Sequence, residues 1–153
     1  MKAGPSIVVI AGEASGDAHA GRLITALRQQ DPAVRVSGIG GDNMRRAGAT
    51  IFADFSELAV MGLVEVLARY RHIRRIFSQL VARLEAERPD LLVLVDYPGF
   101  NLKLARKAKK LGIPVLSSNY CLAWALLDRL KLLSPPRDGL SLLSGYEHAL
   151  ERL

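Results

Sequence analysis

The sequence predicts an α/β protein with a Rossmann-like, three-layer parallel sheet. Short apolar segments alternate with longer amphipathic segments over the first 116 residues, as expected of strands joined by helices. The segment LLVLV at residues 91–95 is apolar throughout, which is typical of a strand covered on both faces. Turns that contain glycine follow the apolar segments at residues 6–11, 34–39 and 91–95. Together these observations favour strands joined by helical crossovers.

The predicted elements alternate in order along the chain. Strands are predicted at Ser6–Ala11, Val34–Ile39, Ile51–Phe52, Leu91–Val95 and Pro114–Leu116. Helices are predicted at Ala18–Gln30, Asn43–Ala47, Val64–Glu87 and Leu102–Leu111. Residues 1–116 are therefore predicted to form one domain. Residues 117–153 are predicted to form a helical tail, with helices at Cys121–Leu133 and Tyr146–Leu153.

Composition limits the classes of function. The net charge of +6 fits an anionic partner, such as a nucleic acid, an anionic lipid or a phosphorylated ligand. Aromatic residues make up only 6% and do not alternate with the basic clusters, which argues against stacking on single-stranded nucleic acid. The single cysteine, Cys121, excludes an intrachain disulfide and favours a reducing, intracellular compartment. No apolar segment approaches the ~20 residues that span a bilayer, so we expect a soluble or peripheral protein.

A first candidate site is the loop between the first strand and the first helix. Its candidate ligand-binding residues are Gly12, Glu13, Ser15, Gly16 and Asp17. Ligands of open α/β sheets bind at the carboxyl ends of the strands, and the two glycines allow a ligand close to the backbone. Two carboxylates suit hydroxyl recognition or acid/base chemistry, although Asp17 could equally cap the helix. The GxGxxG dinucleotide fingerprint is absent.

A second candidate site is the turn from Asp96 to Asn101, after the strand LLVLV. Asp96 is expected at the same sheet edge as the first loop, where its carboxylate could act as a general base toward a hydroxyl. Asn101 is a candidate substrate-binding residue and is also expected to cap the following helix. The alternative is that Asp96 only forms hydrogen bonds with the backbone of the turn.

Three further segments have ambiguous patterns. An apolar segment leads into a basic helix, a layout that suits an anionic membrane surface but also a core helix with a solvated basic face. The candidate membrane-contact residues are Met61, Val64, Val66 and Leu67. The glycine-rich turn Gly38–Met44 fits either close packing or a ligand. The basic segment Lys103–Lys110 is typical of a solvated face. No histidine has a metal-ligand partner at suitable spacing, so we expect no metal site.

Several segments in this order resemble the N-terminal domain of the lipid-A-disaccharide synthase family. They are IVVIAGEASGD, GIGGDNMRRAG, ELAVMGLVEVL, PDLLVLVDYPGFN and KKLGIPVL. The resemblance implies one half of a two-domain GT-B glycosyltransferase that needs no metal or cofactor. Its reaction joins UDP-2,3-diacylglucosamine to 2,3-diacylglucosamine 1-phosphate, with inversion and release of UDP.

The resemblance also implies roles for individual residues. Asp96 matches the proposed catalytic aspartate, whereas Glu13, Ser15 and Asp17 match the active-site loop. The segment that contains Val64, Val66 and Leu67 matches the surface thought to contact the membrane. The implied location is therefore the cytoplasm, peripheral on the inner membrane.

The resemblance ends near Leu116, and residues 117–153 are predicted to be a divergent tail without the donor-binding domain. We therefore expect a truncated form with little activity alone, and an uncovered surface that favours self-association. The alternative is a non-catalytic lipid-binding module at a membrane surface. A third hypothesis, a nucleotide-binding domain of another kind, is disfavoured by the missing fingerprint.

Overall fold

The computed structural model describes residues 4–57 and 66–130, and it confirms the predicted α/β class. The strands are β1 Ser6–Ala11, β2 Arg35–Gly40, β3 Thr50–Asp54, β4 Leu91–Val95 and β5 Val115–Ser117. The helices are α1 Ala14–Gln30, α2 Asp42–Arg46, α3 Val66–Glu87, α4 Pro98–Lys110 and α5 Ser118–Arg129, with a 3₁₀ helix at Phe55–Glu57. All strand pairs are parallel, in the order β3-β2-β1-β4-β5.

The central strand β1 determines where a ligand is expected. Ile10 of β1 is paired with Ile39 of β2 on one side and with Leu94 of β4 on the other. The chain therefore adds β2 and β3 on one side of β1, and then adds β4 and β5 on the other side. In open α/β sheets, ligands bind outside the carboxyl ends of the two strands at which this order reverses, here β1 and β4.

The core lies on both faces of the sheet. Successive β1 side chains alternate between the faces. Val8 and Ile10 pack toward α3 and α4, together with Ile76, Leu80, Leu84, Phe100 and Leu104. Ile7 and Val9 pack toward α1 and α2, together with Ala20, Ile24 and Met44. Full burial of a large aliphatic side chain contributes about 1.5–3 kcal/mol, so both helical layers stabilise the sheet. This explains why β4 is apolar at every position.

Two helices begin earlier than predicted. Helix α1 begins at Ala14 rather than Ala18, and α4 begins at Pro98 rather than Leu102. The segments GEASGD and DYPGFN are rich in residues typical of turns, which concealed the first helical turn in each case. Proline is well suited to the first position of a helix because it needs no N–H partner there. As a result, Asn101 lies within α4 and does not cap it.

The compact unit that contains the sheet ends at Asn119, and a second unit begins at Tyr120. Helix α5 begins at Ser118 rather than Cys121, and it ends at Arg129 rather than Leu133. The predicted helix Tyr146–Leu153 lies outside the described residues. Within the described ranges, no helix combines the length and hydropathy needed to cross a membrane.

Candidate active site

The loops after β1 and β4 meet at the carboxyl edge of the sheet. Ala11 and Val95 are register partners, so Gly12 and Asp96 follow them side by side. A Cβ atom on Gly12 would lie 2.5 Å from the Cβ of Tyr97, and one on Gly16 would lie 3.5 Å from Oδ2 of Asp96. Glycine at position 12 thus allows Tyr97 to cross the first loop. The two predicted loops therefore form one site.

Asp96 is held in a strained backbone conformation. Asp96 and Tyr97 have φ values of 52° and 57°, in the left-handed region. This conformation costs roughly 1–2 kcal/mol for each residue that is not glycine. The backbone N–H of Asn101 donates to the Tyr97 carbonyl at 3.1 Å, and its side-chain Nδ2 donates to the Asp96 carbonyl. These two contacts compensate for part of the strain and hold the backbone of the turn in place.

Asn101 lies beneath the turn and is only 6% exposed. Its Nδ2 binds the Asp96 carbonyl, but its buried Oδ1 has no hydrogen-bond partner among the described residues. A buried acceptor without a partner costs about 1–3 kcal/mol. This oxygen is enclosed by protein, so Asn101 supports the Asp96 turn from beneath rather than facing a ligand.

The first turn of α1 lies beside Asp96. Glu13 is the N-cap residue, but its side chain does not cap the helix. It accepts instead a short hydrogen bond from the Ser15 hydroxyl, and both residues are exposed. Uncapped N–H groups and the positive end of the helix dipole stabilise a nearby negative charge by about 0.3–1 kcal/mol. The uncapped start of α1 and the Asp96 carboxylate therefore lie side by side at this edge of the sheet.

Asp17 differs from the other residues of its loop because it is buried, with 1% of its surface exposed. Its carboxylate accepts hydrogen bonds from the backbone N–H groups of Gly41 at 2.6 Å, Asn43 at 3.0 Å and Met44 at 3.2 Å, and from Asn43 Nδ2 at 2.8 Å. It therefore caps α2 rather than its own helix. Burial raises the pKa of Asp17, but these hydrogen bonds outweigh that effect and hold the pKa below its ordinary value.

The glycine-rich turn after β2 serves close packing. A Cβ atom on Gly40 would lie 2.2 Å from Sδ of Met44, and one on Gly41 would lie 2.5 Å from Cε1 of Phe55. The same turn supplies the amides that bind Asp17. Of the two interpretations left open by the sequence, the contacts favour packing.

Of the four predicted membrane-contact residues, the structure describes only the backbone of two. Met61 and Val64 lie outside the described residues. Val66 and Leu67 begin α3, but the structure does not describe their side chains. Further along α3, the arginines Arg71, Arg74 and Arg75 are exposed.

Tyr97 is the contact residue that sequence reasoning missed. It packs against Gly12 and against the ring of Phe100, with centroids 5.8 Å apart. The only signal was a bulky residue directly after the candidate base in a Pro-Gly turn. Among residues 4–57 and 66–130, no three histidine, cysteine or acidic side chains are grouped as metal ligands.

The contact between Gly12 and Tyr97 gives a stability prediction. We expect Gly12→Ala to lower the free energy of unfolding by about 1–3 kcal/mol, because the methyl group overlaps Tyr97. Gly16→Ala is the matched control, since its methyl group fits at 3.5 Å and alanine favours the helix by up to about 1 kcal/mol. Urea denaturation measures both variants. If Gly12→Ala is as stable as Gly16→Ala, Tyr97 does not pack as closely against Gly12 as the structure shows.

Solved structures support the fold. The glycotransferase of kitacinnamycin is similar with a TM-score of 0.54 and 20% identity, over 99% of this chain and 41% of that protein. The C-terminal domain of a hydrogenase from Pyrococcus furiosus also has a TM-score of 0.54, with 17% identity. At such low identity, the similarity concerns the α/β architecture and not the chemistry.

Sequence relatives are more informative about ancestry. The chain is 40% identical over 147 residues to the lipid-A-disaccharide synthase of Syntrophus aciditrophicus, and 51% identical over 112 residues to that of Nitrosococcus oceani. The first alignment covers 95% of this chain and so extends into the segment after Leu116. The chain spans 38% and 29%, respectively, of the lengths of these two relatives.

The family model described as lipid-A-disaccharide synthetase matches residues 7–120. This range contains both loops of the candidate site, the turn after β2 and all five strands of the sheet. Because the match covers most of the chain and the relatives agree with it, the chain belongs to the lipid-A-disaccharide synthetase family.

Proposed function

We propose that this chain forms the acceptor side of an inverting hexosyltransferase. The donor would be UDP-2,3-diacylglucosamine and the acceptor 2,3-diacylglucosamine 1-phosphate, as the family resemblance implies. The observation that carries the proposal is the position of Asp96, which is held at the carboxyl edge of β4 beside the uncapped start of α1. Carboxylates at this edge of an open α/β sheet are well placed for catalysis.

In the proposed mechanism, Asp96 acts as a general base. Its carboxylate takes the proton from the attacking hydroxyl of the acceptor while that oxygen bonds to the anomeric carbon of the donor. The bond from that carbon to UDP breaks on the opposite face, which inverts the configuration. The exposed Glu13 and Ser15 would receive sugar hydroxyls, with Gly12 and Gly16 keeping the approach open. Asn101 would act indirectly, by holding the backbone of the Asp96 turn. None of these steps calls for a metal or a cofactor.

A direct test adds the part of a relative that this chain does not match. We expect negligible transfer by these 153 residues alone, because they span 38% of the relative from Syntrophus aciditrophicus and the resemblance implies that the donor binds in the other domain of a GT-B enzyme. The assay follows radiolabelled sugar from donor to acceptor, with the chain alone and with a separately expressed C-terminal part of a relative. Product in the mixture supports the proposal. Absence of product in both, with acceptor binding also absent, contradicts it.

We also propose that the start of α3 binds the cytoplasmic surface of the inner membrane. The apolar residues Met61, Val64, Val66 and Leu67 precede the exposed arginines of α3. Basic residues near an anionic surface contribute about 1 kcal/mol each, and inserted apolar side chains add to this. Self-association of the chain stays a prediction.

The membrane proposal predicts the outcome of vesicle flotation. The double variant Val66→Ser and Leu67→Ser should bind anionic vesicles at least about tenfold more weakly, because burial of each side chain contributes about 1.5–3 kcal/mol. A matched control changes Leu122 and Leu126 to serine, since both are exposed apolar residues of a different helix, α5. Equal flotation of both double variants would argue against a membrane surface at the start of α3.

The non-catalytic alternative is not favoured. A lipid-binding module would have no use for a strained turn that holds an aspartate beside an uncapped helix. Family membership also points to the transferase.

A further inference from the structure

A polar cavity of about 580 Å³ lies at the amino-terminal edge of the sheet, opposite the candidate active site. It is formed by the starts of β1, β2 and β3 and by the last turns of α1 and α3. Its polar walls include Ser6, Arg28, Arg35, Ser37, Thr50 and Arg83. Cavities of about 300–1,000 Å³ are the usual size of small-molecule sites.

Several donors in this cavity lack partners. In the part of the chain that the structure describes, the guanidinium of Arg35 and the hydroxyls of Ser37 and Thr50 make no hydrogen bond or ion pair. Arg28 donates from Nη2 to the Gly48 carbonyl at 2.7 Å, but its buried Nε has no partner. Guanidinium and hydroxyl groups together are suited to phosphate oxygens.

The charge of the cavity also favours an anion. Three arginines line it, and the only acidic side chain among its lining residues is Glu87. That carboxylate already pairs with Nη1 of Arg83 at 3.1 Å. Asp90 lies beside this lining, where its Oδ2 accepts a hydrogen bond from the Ser6 N–H at 2.8 Å. Arg28 and Arg35 together still outweigh this one further carboxylate, so the cavity keeps a net positive charge.

An apolar cavity of about 450 Å³ adjoins the polar one, between β3 and α3. The two cavities share Phe52, Arg83 and Glu87 as a common wall, in which the Arg83 guanidinium lies 5.0 Å from the centroid of the Phe52 ring. The accessible apolar lining of the second cavity comes mainly from Phe52, Ala82 and Ala86, because Ile76 and Leu80 behind them are buried in the core. A phosphate group in the first cavity would thus be adjacent to an apolar groove along which a hydrocarbon chain could lie.

We propose that these two cavities together bind an amphiphile with one phosphate group and one alkyl chain. The phosphate would contact Arg35, Ser37 and Arg28, and the chain would lie along Phe52 toward α3. This site is separate from Asp96, because it opens at the other edge of the sheet.

Isothermal titration calorimetry on the full 153-residue chain tests the proposal with three probes. They are octyl phosphate, inorganic phosphate and octyl glucoside, each below its micellar concentration. Octyl phosphate should bind at least about tenfold more tightly than either other probe, since both its head and its chain have a complementary surface. Arg35→Ala should lower the affinity for octyl phosphate on the order of tenfold.

Two further variants distinguish the contribution of the phosphate group to binding from that of the alkyl chain. Ala86→Glu places a charge beside the apolar cavity and should weaken octyl phosphate without changing the affinity for inorganic phosphate. Arg22→Ala removes an exposed arginine of α1 outside both cavities and should leave binding unchanged. The proposal is overturned if octyl phosphate does not bind, if it binds no better than inorganic phosphate, or if Arg22→Ala and Arg35→Ala have equal effects.

Discussion

Replacing Asp17 by alanine is expected to lower the free energy of unfolding by about 3–5 kcal/mol. The substitution removes the acceptor for three backbone N–H groups at the start of α2, of which those of Gly41 and Met44 belong to buried residues. Each buried donor that loses its partner costs about 1–3 kcal/mol. Urea denaturation at neutral pH measures the difference.

A matched control for this change is Asp42→Ala. Asp42 is also acidic and lies in the first turn of α2, but its side chain is 72% exposed and pairs only with Arg45 at 3.0 Å. Exposed ion pairs contribute about 0–1 kcal/mol, so this variant should be close to the wild type. If the two variants lose similar stability, Asp17 does not anchor α2.

The lowered pKa of Asp17 also predicts how the free energy of unfolding depends on pH. The folded-state pKa of Asp17 lies below its ordinary value, so the unfolded chain takes up the proton first as pH falls. Its contribution is therefore fully present above the ordinary pKa and is lost as pH falls through the folded-state pKa. Asp17→Asn has no such titration. The stability difference between the wild type and Asp17→Asn should shrink on acidification below about pH 4.

The second large effect concerns catalysis. In the mixture with a C-terminal part of a relative, Asp96→Asn should reduce transfer by about 10²–10⁴-fold, because the amide cannot take the proton from the acceptor hydroxyl. Asparagine tolerates the left-handed conformation that Asp96 adopts, so the turn should remain intact. The rate of product formation at saturating acceptor measures the effect.

Two accompanying measurements distinguish a catalytic defect from misfolding. Acceptor affinity and the urea midpoint of Asp96→Asn should stay near those of the wild type. Glu85→Gln, an exposed acid on α3, is the control and should retain full transfer. Transfer by Asp96→Asn at nearly the wild-type rate would show that another group accepts the proton, and the proposed mechanism would be wrong.

The sequence alone was sufficient for the fold class and for the expectation that the two candidate loops meet at one edge of the sheet. The apolar run at Leu91–Val95 indicated a strand buried on both faces, and alternation of strands and helices indicated parallel pairing. Carboxyl ends of parallel strands share one edge, so Gly12 and Asp96 were expected near each other. These features depend on local pattern, which a sequence displays directly.

The identity of each contact was decided by the tertiary structure. Asp17 was grouped with the ligand loop, yet its partners lie 24 or more residues away, across β2. Asn101 was expected to cap a helix but supports the Asp96 turn, and Tyr97 was not considered. Which side of a helix a polar residue faces depends on where the helix begins and what packs against it. Both the start of a helix and its packing partners depend on the register of the sheet. This register is set by packing between segments that are remote in sequence.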